Sequence, residues 1–225
     1  MKITFLGHSC FSIEINEITI LIDPFISGNA LATHIDLSNL KADFILLTHA
    51  HQDHVLDVEV IAERTKSVIV SNYEIAMYYG EKGLKVNPLN HGGTFKTDDF
   101  LAKYVNAIHT SSFADGTYGG EPGGFVISSK DKNLYVAGDT AVTMDMKLIP
   151  MSLKLDAAIL PIGDTFTMGV DDAIIASNLV ECGKVIGCHF NTFPPIEIDV
   201  NDAKTKFSLN DKELIILEIG EKINL

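Results

Sequence analysis

Tryptophan is absent from these 225 residues, arginine occurs once, as Arg64, and cysteine three times. Basic side chains are scarce as a class: 17 lysines and arginines stand against 30 aspartates and glutamates, a formal charge of −13. Nucleic-acid binding draws its affinity from Lys and Arg contacts to phosphate. The balance therefore argues against that partner, although a local lysine could still face an anionic substrate. Cys10, Cys182 and Cys188 are odd in number and show no CxxC spacing. That argues against a disulfide framework and agrees with a reducing compartment. No apolar run approaches the roughly 18 residues of a membrane span, so no membrane partner is expected. The opening MKITFLGHSCFSIEINE lacks the apolar middle region of a signal peptide, because His8 and Glu14 break its short apolar stretch. A cytoplasmic protein is the expectation.

What is present is strand-rich. Residues 2–6, 10–15 and 18–22 read as short strands rich in Ile, Phe and Leu, with a turn at Asn16-Glu17. FILLTH (44–49) is a continuous apolar strand of the kind covered on both faces. A helix over about 57–64, a strand at 67–71, a helix near 72–81 and strands near 84–88 and 100–108 follow. The tract SSFADGTYGGEPGG (111–124) reads as a flexible rim loop, since it lacks the lysine and helix start of a phosphate-binding loop. The second half repeats the theme: strands 125–129 and 133–138 as a hairpin, a helix near 144–150, and strand 156–161. A helix over about 170–182, strand 184–189, a short helix at 199–207 and strand 213–219 complete it. Met144, Met146 and Met151 read as helix packing. Two sheets stacked face to face with helices outside is the α/β layering this order suggests. With no low-complexity linker, residues 1–225 are expected to form a single domain of two pseudo-similar halves.

Polar groups collect where strands end. ILLTHAHQDHVLD (45–57) puts three histidines and two aspartates between His49 and Asp57, directly behind an apolar strand. His109, Asp139 and His189 each close a further strand. A solvated turn, strand-end histidines and an N-cap aspartate are the structural alternatives. The set favours metal instead, because site residues gather on loops held by a rigid scaffold. His49 and His51, two apart, project to one side of an extended chain, while Asp53 and His54 point elsewhere. One tetrahedral ion uses three or four ligands, and seven candidates favour two neighbouring ions.

THAHQDH (48–54) matches the HxHxDH signature of the metallo-β-lactamase superfamily. IDP (22–24), the lone His109, Asp139 in AGDT and His189 in GCHF follow in that family's order. The resemblance implies a four-layer αββα sandwich of two mixed sheets. It also implies a first metal on His49, His51 and His109 and a second on Asp53, His54 and His189, with Asp139 bridging them. The cofactors implied are two divalent metal ions, with zinc first and manganese or iron also suited to imidazole and carboxylate. Two cations sharing an oxygen lower the pKa of a trapped water toward 7, giving hydroxide to attack an ester, lactone or phosphodiester. LGHSCF (6–11) and PIGDTFTMG (161–169) further resemble small bacterial metal-dependent hydrolases related to ascorbate-6-phosphate lactonase, in which an N-terminal histidine lies by the metals. On that likeness His8 is a substrate-binding or proton-transfer candidate and Asp164 a rim candidate. Asp53, Asp139 and His8 form the catalytic set.

Asp23 could orient a ligand histidine or simply close a turn. Asp57 reads as the N-cap of the helix that follows. Cys188 reads as a buried small hydrophobe, His34 and His91 as loop residues, with His34 near the mouth. The expectation is a metal-dependent hydrolase acting on a small, anionic molecule, such as a sugar-phosphate lactone or other ester. An iron-dependent oxidoreductase on the same fold and an RNA or phosphodiester nuclease are the alternatives, and the charge argues against the nuclease. A homo-oligomer is compatible with the sequence.

Overall fold

In β1 (Lys2–Gly7), β2 (Cys10–Ile15) and β3 (Ile18–Ile22) the residues Ile3, Phe5, Phe11, Ile13, Ile20 and Ile22 fall on alternate positions. A strand sends such residues to one face. In the computed structural model, which describes residues 1–225, these three strands form an antiparallel meander. β4 (Phe44–Leu46), β5 (Val68–Asn72) and β6 (Val86–Leu89) extend it in parallel from β3. α1 (Gln52–Val55) and α2 (Val58–Thr65) cross from β4 to β5 and α3 (Tyr73–Glu81) from β5 to β6, while the β3–β4 connection holds only a 3-10 turn at Leu37–Asn39. α3 starts where the Asn72 side chain accepts from Ile75 N, and α2 stops at Lys66, which turns left-handed with φ 61°.

A second sheet takes over at β7 (Thr94–Lys96). β8 (Phe100–Asn106), β9 (Gly123–Ser129) and β10 (Asn133–Val136) continue it antiparallel. β11 (Ala157–Pro161), β12 (Lys184–Cys188) and β13 (Glu213–Ile215) add in parallel, spaced by α4 (Val170–Leu179) and α5 (Val200–Leu209). The chain then returns to pair β14 (Lys222–Asn224) with β1. Both sheets have seven strands and are mixed.

The inward faces meet in one core, where Phe11, Ile13 and Ile22 share a cluster with Tyr104, Phe125 and Ile186. The outer face of the first sheet buries Ile45 and Ile69 with Val58, Ile61 and Tyr79 from the helices. The outer face of the second buries Leu160 and Val185 with Ala176 and Phe207. Each such burial contributes roughly 1.5–3 kcal/mol. The result is the expected αββα layering. No helix is long and apolar enough to cross a membrane.

Several local expectations are corrected. α1 is a separate turn ahead of α2, and residues 144–148 form a 3-10 helix in which only Met146 is buried. Met144 and Met151 stand exposed and contribute no helix packing. β7 and β14 are three-residue edge strands, too short to show a period. The 111–124 tract is tied down: Gly119 O and Glu121 O accept from Asn72 Nδ2, and Tyr104 Oη donates to Glu121 O. Cys10, Cys182 and Cys188 are unpaired and buried.

Candidate metal centre

Every member of the candidate set stands just beyond the C-terminal end of a strand or on the first turn of α1. His8 follows β1, Asp23 follows β3, His49 to His54 follow β4, His109 follows β8, Asp139 follows β10 and His189 follows β12. Because the strands share a direction, their ends bring these residues to one edge of the sandwich. The buried Asp139 lies at the middle. Its Oδ2 is 3.0 Å from His189 Nε2, 3.3 Å from His54 Nε2, 3.6 Å from His109 Nε2 and 3.8 Å from His49 Nε2.

Around that oxygen the side chains fall into two main groups, joined by a third of Asp23, His49 and His54, and within each group the donor atoms lie within 4.8 Å of one another. His49, His51 and His109 make one, and His8, Asp53, His54 and His189 the other. The histidines two residues apart face the same way, with His49 Nε2 3.1 Å from His51 Nδ1. Asp53 and His54, on α1, turn to the second group.

Surrounding residues fix ring orientation. Asp23 Oδ1 accepts from Thr48 N at 2.8 Å, and its Oδ2 takes the Thr48 hydroxyl at 2.6 Å and His54 Nδ1 at 2.9 Å. A carboxylate only accepts, so His54 donates from Nδ1 and its Nε2 is turned to the cluster. The Thr48 hydroxyl, spent on Asp23, accepts from His49 Nδ1 at 3.0 Å, which leaves His49 Nε2 free. One aspartate therefore sets the tautomer of a histidine in each group. Of the two readings open for Asp23, the geometry selects orientation of a histidine. Asp57, expected as an N-cap, makes no cap bond; its carboxylate accepts from Ile26 N, Ser27 N and the Ser27 hydroxyl. It pins the 24–28 loop.

His8 is 2 % exposed, with Nε2 3.1 Å from Asp53 Oδ2 and Nδ1 3.0 Å from Thr192 Oγ1. Phe25 and Phe193 pack on its ring at 5.6 and 5.4 Å. Its ring is thus enclosed by Asp53, Thr192, Phe25 and Phe193. His8, Asp23 and His189 hold φ of 55°, 42° and 52°. Non-glycine residues in this region cost about 1–3 kcal/mol each and persist where the surroundings enforce them. Here the enforcement includes a backbone bond from His189 N to His8 O at 2.9 Å, which ties the two strand ends together. Gly138, φ 65°, brings the Asp139 backbone close: a Cβ there would lie 2.7 Å from Thr48 Cβ and 2.9 Å from Gly123 O.

Burial dominates the neutral rings. It pushes His8 down to about 4 and His49 well below an ordinary imidazole, and lowers His51 and His109 too. Burial, the largest single effect, works the same way on His54 and His189, yet the Asp139 charge and the hydrogen bonds to Asp139, Asp23 and Asp53 together outweigh it, raising His189 to about 9 and His54 well above the ordinary value. Burial opposes ionisation of Asp53 and Asp139, but their imidazole neighbours hold both well below the usual carboxylate range. Protons thus gather on His54 and His189, where a cation would be attracted. Three buried atoms of the set also lack any hydrogen-bond partner: His54 Nε2, Asp139 Oδ1 and His189 Nδ1. Leaving such atoms bare is costly. An imidazole and carboxylate cluster with orphaned atoms fits a divalent ion.

Asp164 makes no hydrogen bond to this set. It is exposed at φ 60°, and its Oδ1 accepts from Thr165 N at the tip of its own loop. His34 is not at the mouth; it lines a separate cavity of about 640 Å³ with Asp36 and Lys41 and approaches Ile219 O. His91 sits in a turn, stacked on Tyr104. Cys188 packs in the inter-sheet core. Thr48 and Thr192 were not singled out from sequence, and only Thr48, inside the THAHQDH string, carried any signal there.

The family profile described as Beta-lactamase superfamily domain matches residues 2–189. A UPF0173 metal-dependent hydrolase of Christiangramia forsetii is 61% identical over 226 residues, covering 100% of both chains. One from Flavobacterium johnsoniae is 60% identical over 225 residues, again covering 100% of both. Among solved structures, Igni18, a metallo hydrolase from the archaeon Ignicoccus hospitalis, superposes with TM-score 0.90 at 35% identity, over 99% of this chain and 97% of that one.

Proposed function

The chain belongs to the β-lactamase superfamily and, within it, to the UPF0173 metal-dependent hydrolases, and from that membership we propose a dinuclear enzyme that hydrolyses a small ester, lactone or phosphodiester. The observation that carries the dinuclear reading is the position of Asp139 Oδ2, within 3.8 Å of imidazole nitrogens from both groups. In this reading His49, His51 and His109 hold one ion, Asp53, His54 and His189 the other, and Asp139 both. Zinc leads among the metals, with manganese and iron suited to the same donors. When bound, the ions supply Lewis acidity and bring the pKa of a water toward 7.

The chain's own residues do the rest. Asp23, directly and through Thr48, holds a proton on Nδ1 of His54 and of His49 and so turns each Nε2 toward the ions. Thr110 Oγ1, 3.3 Å from His51 Nε2, holds that ring with Nδ1 inward. His8 is a positioning residue: its Nε2–H fixes Asp53 Oδ2, and Phe25 and Phe193 keep water from the bond. Asp53 stays ionised, and so low a carboxyl is a weak proton acceptor; its part is to ligate. A cytoplasmic setting belongs to the proposal, supported by three buried thiols that suit a reducing compartment.

The test is hydrolysis of a p-nitrophenyl ester, a lactone and bis-p-nitrophenyl phosphate by protein as purified, chelator-stripped and metal-restored. Activity on at least one of them should vanish on stripping and return with zinc or manganese. Asp139→Asn should fold yet lose at least about 100-fold in rate. Full activity in a stripped sample would sink the reading.

A further inference from the structure

The loop stretches that carry the candidate site hold acids and no bases. Residues 7–9, 23–36, 47–57, 107–122, 137–143, 162–169 and 189–199 contain no lysine or arginine, although the chain has 17. Besides the cluster's own aspartates they carry further acids, among them Asp115, Glu121, Asp164 and Glu197. A phosphate or carboxylate on the remote part of a substrate would find no cationic partner on these loops. It would approach a chain whose net charge of −13 repels it at long range.

The same loops expose apolar side chains. Leu56 is 39% and Phe166 56% exposed, and Ile108, beside His109, is 53% exposed. Leu56 and Phe166 are linked through the buried Phe25 and through Phe193. A Cβ on Gly28 would touch both Phe25 and Leu56, so those two side chains close over it. Phe25 and Phe193 lie 6.2 Å apart. The Thr165 hydroxyl donates to Pro195 O at 2.7 Å, holding the turn of Phe166 against that of Phe193. An apolar arc thus runs from Leu56 to Phe166 along the Asp53 side of the cluster, and Ile108 flanks the His109 side, anchored by its N–H to Thr140 Oγ1 at 3.0 Å. Exposed apolar patches beside a polar centre mark binding surfaces.

Resting on the hydrolase reading above, we propose that the site takes a neutral substrate whose scissile group is flanked by an apolar, aryl or alkyl, substituent, in place of the anionic molecule expected from sequence. The bond broken is an acyl C–O bond: water adds its oxygen to the acyl carbon, the alcohol leaves with one water proton, and the acid product carries the other until it ionises. The acid that forms is an anion with no cationic side chain on the loops to retain it, so release is favoured by the same composition.

The experiment separates this from the hydrolase reading by measuring binding without turnover. Calorimetry on zinc-loaded protein compares two hydroxamates with the same chelating head and similar length, 4-phenylbutanehydroxamate and the monohydroxamate of glutaric acid. The phenyl compound should bind at least about tenfold tighter, the scale on which one apolar group discriminates. Phe166→Ala should erase most of that advantage while leaving acetohydroxamate unchanged, and Ile108→Lys should tighten the carboxylate compound. Circular dichroism checks that each variant folds. Equal or tighter binding of the carboxylate compound, or no preference at all, overturns the proposal. In parallel, p-nitrophenyl hexanoate and the mono-p-nitrophenyl ester of adipic acid are assayed for turnover. If neither turns over while the phenyl preference stands, the acyl-ester assignment fails and the apolar binding surface survives; turnover favouring the adipate ester overturns the apolar preference and leaves the hydrolase reading standing.

Discussion

Replacing Asp23 with asparagine should weaken both metal sites at once, although Asp23 is not proposed to touch a metal. The wild-type carboxylate receives Thr48 N at 2.8 Å, Thr48 Oγ1 at 2.6 Å and His54 Nδ1 at 2.9 Å, all buried. Burial pushes this carboxyl up, against the pull of its donors; with three of them in place the shared proton sits on His54. Asparagine keeps the shape and can still accept from Thr48 N, but its amide presents hydrogens where Oδ2 accepted. His54 must then accept at Nδ1 and carry its proton on Nε2, facing the cluster. The Thr48 hydroxyl, no longer drawn to position 23, turns its proton to His49 Nδ1 with the same effect on that ring. Loss of such an orienting carboxylate costs about 10–100-fold in metal affinity, or about 1.4–2.7 kcal/mol per site. The assay is a competition titration against a chromophoric chelator, with imidazole tautomers read from long-range proton–nitrogen correlations of zinc-loaded protein. Asp57→Asn is the control: it is buried nearby but bonds only the 26–27 loop, so it should cost stability and spare metal affinity. Wild-type affinity at both sites in Asp23→Asn would refute the tautomer argument.

Two further outcomes follow from the geometry. Gly138→Ala forces a left-handed alanine, about 1–2 kcal/mol, and overlaps Thr48 and Gly123, another 1–3 kcal/mol or so; the melting temperature should fall by roughly 5–15 °C, and an unchanged one would contradict the close approach. For pH, His189 at about 9 and His54 well above the ordinary imidazole value stabilise metal-free protein fully below the unfolded value of about 6.5. That contribution, on the order of 3 kcal/mol from His189 alone, is lost as pH rises through 9. Denaturant unfolding should therefore show stripped protein weakening between pH 6.5 and 9, and metal-loaded protein, with those rings held neutral by ligation, staying level.

The paired layers were legible because strands such as 10–15 and 18–22 alternate cleanly, and the histidine–aspartate cluster because its members sit at strand ends in one dense string and three partners. What escaped depended on contacts distant in sequence. His8 reads as a turn histidine or a site residue until Thr192, 184 positions away, is seen against it. Asp57 reads as an N-cap because position and residue type fit, yet the 24–28 loop competes successfully for its oxygens. The tract at 111–124 reads as flexible from its glycines, whereas Gly119 is small because Ala50 Cβ lies where its own Cβ would be. The exposure of Asp164 is decided by the left-handed turn at 164–165, which composition alone does not reveal.

The central claim is that one carboxylate oxygen, Asp139 Oδ2, serves two ions. X-ray absorption at the zinc edge on protein loaded with two equivalents addresses it directly. Two tightly bound ions per chain and a metal–metal scattering vector of about 3.5–4 Å, absent in Asp139→Asn, are expected. One ion per chain with only nitrogen and oxygen shells would contradict it.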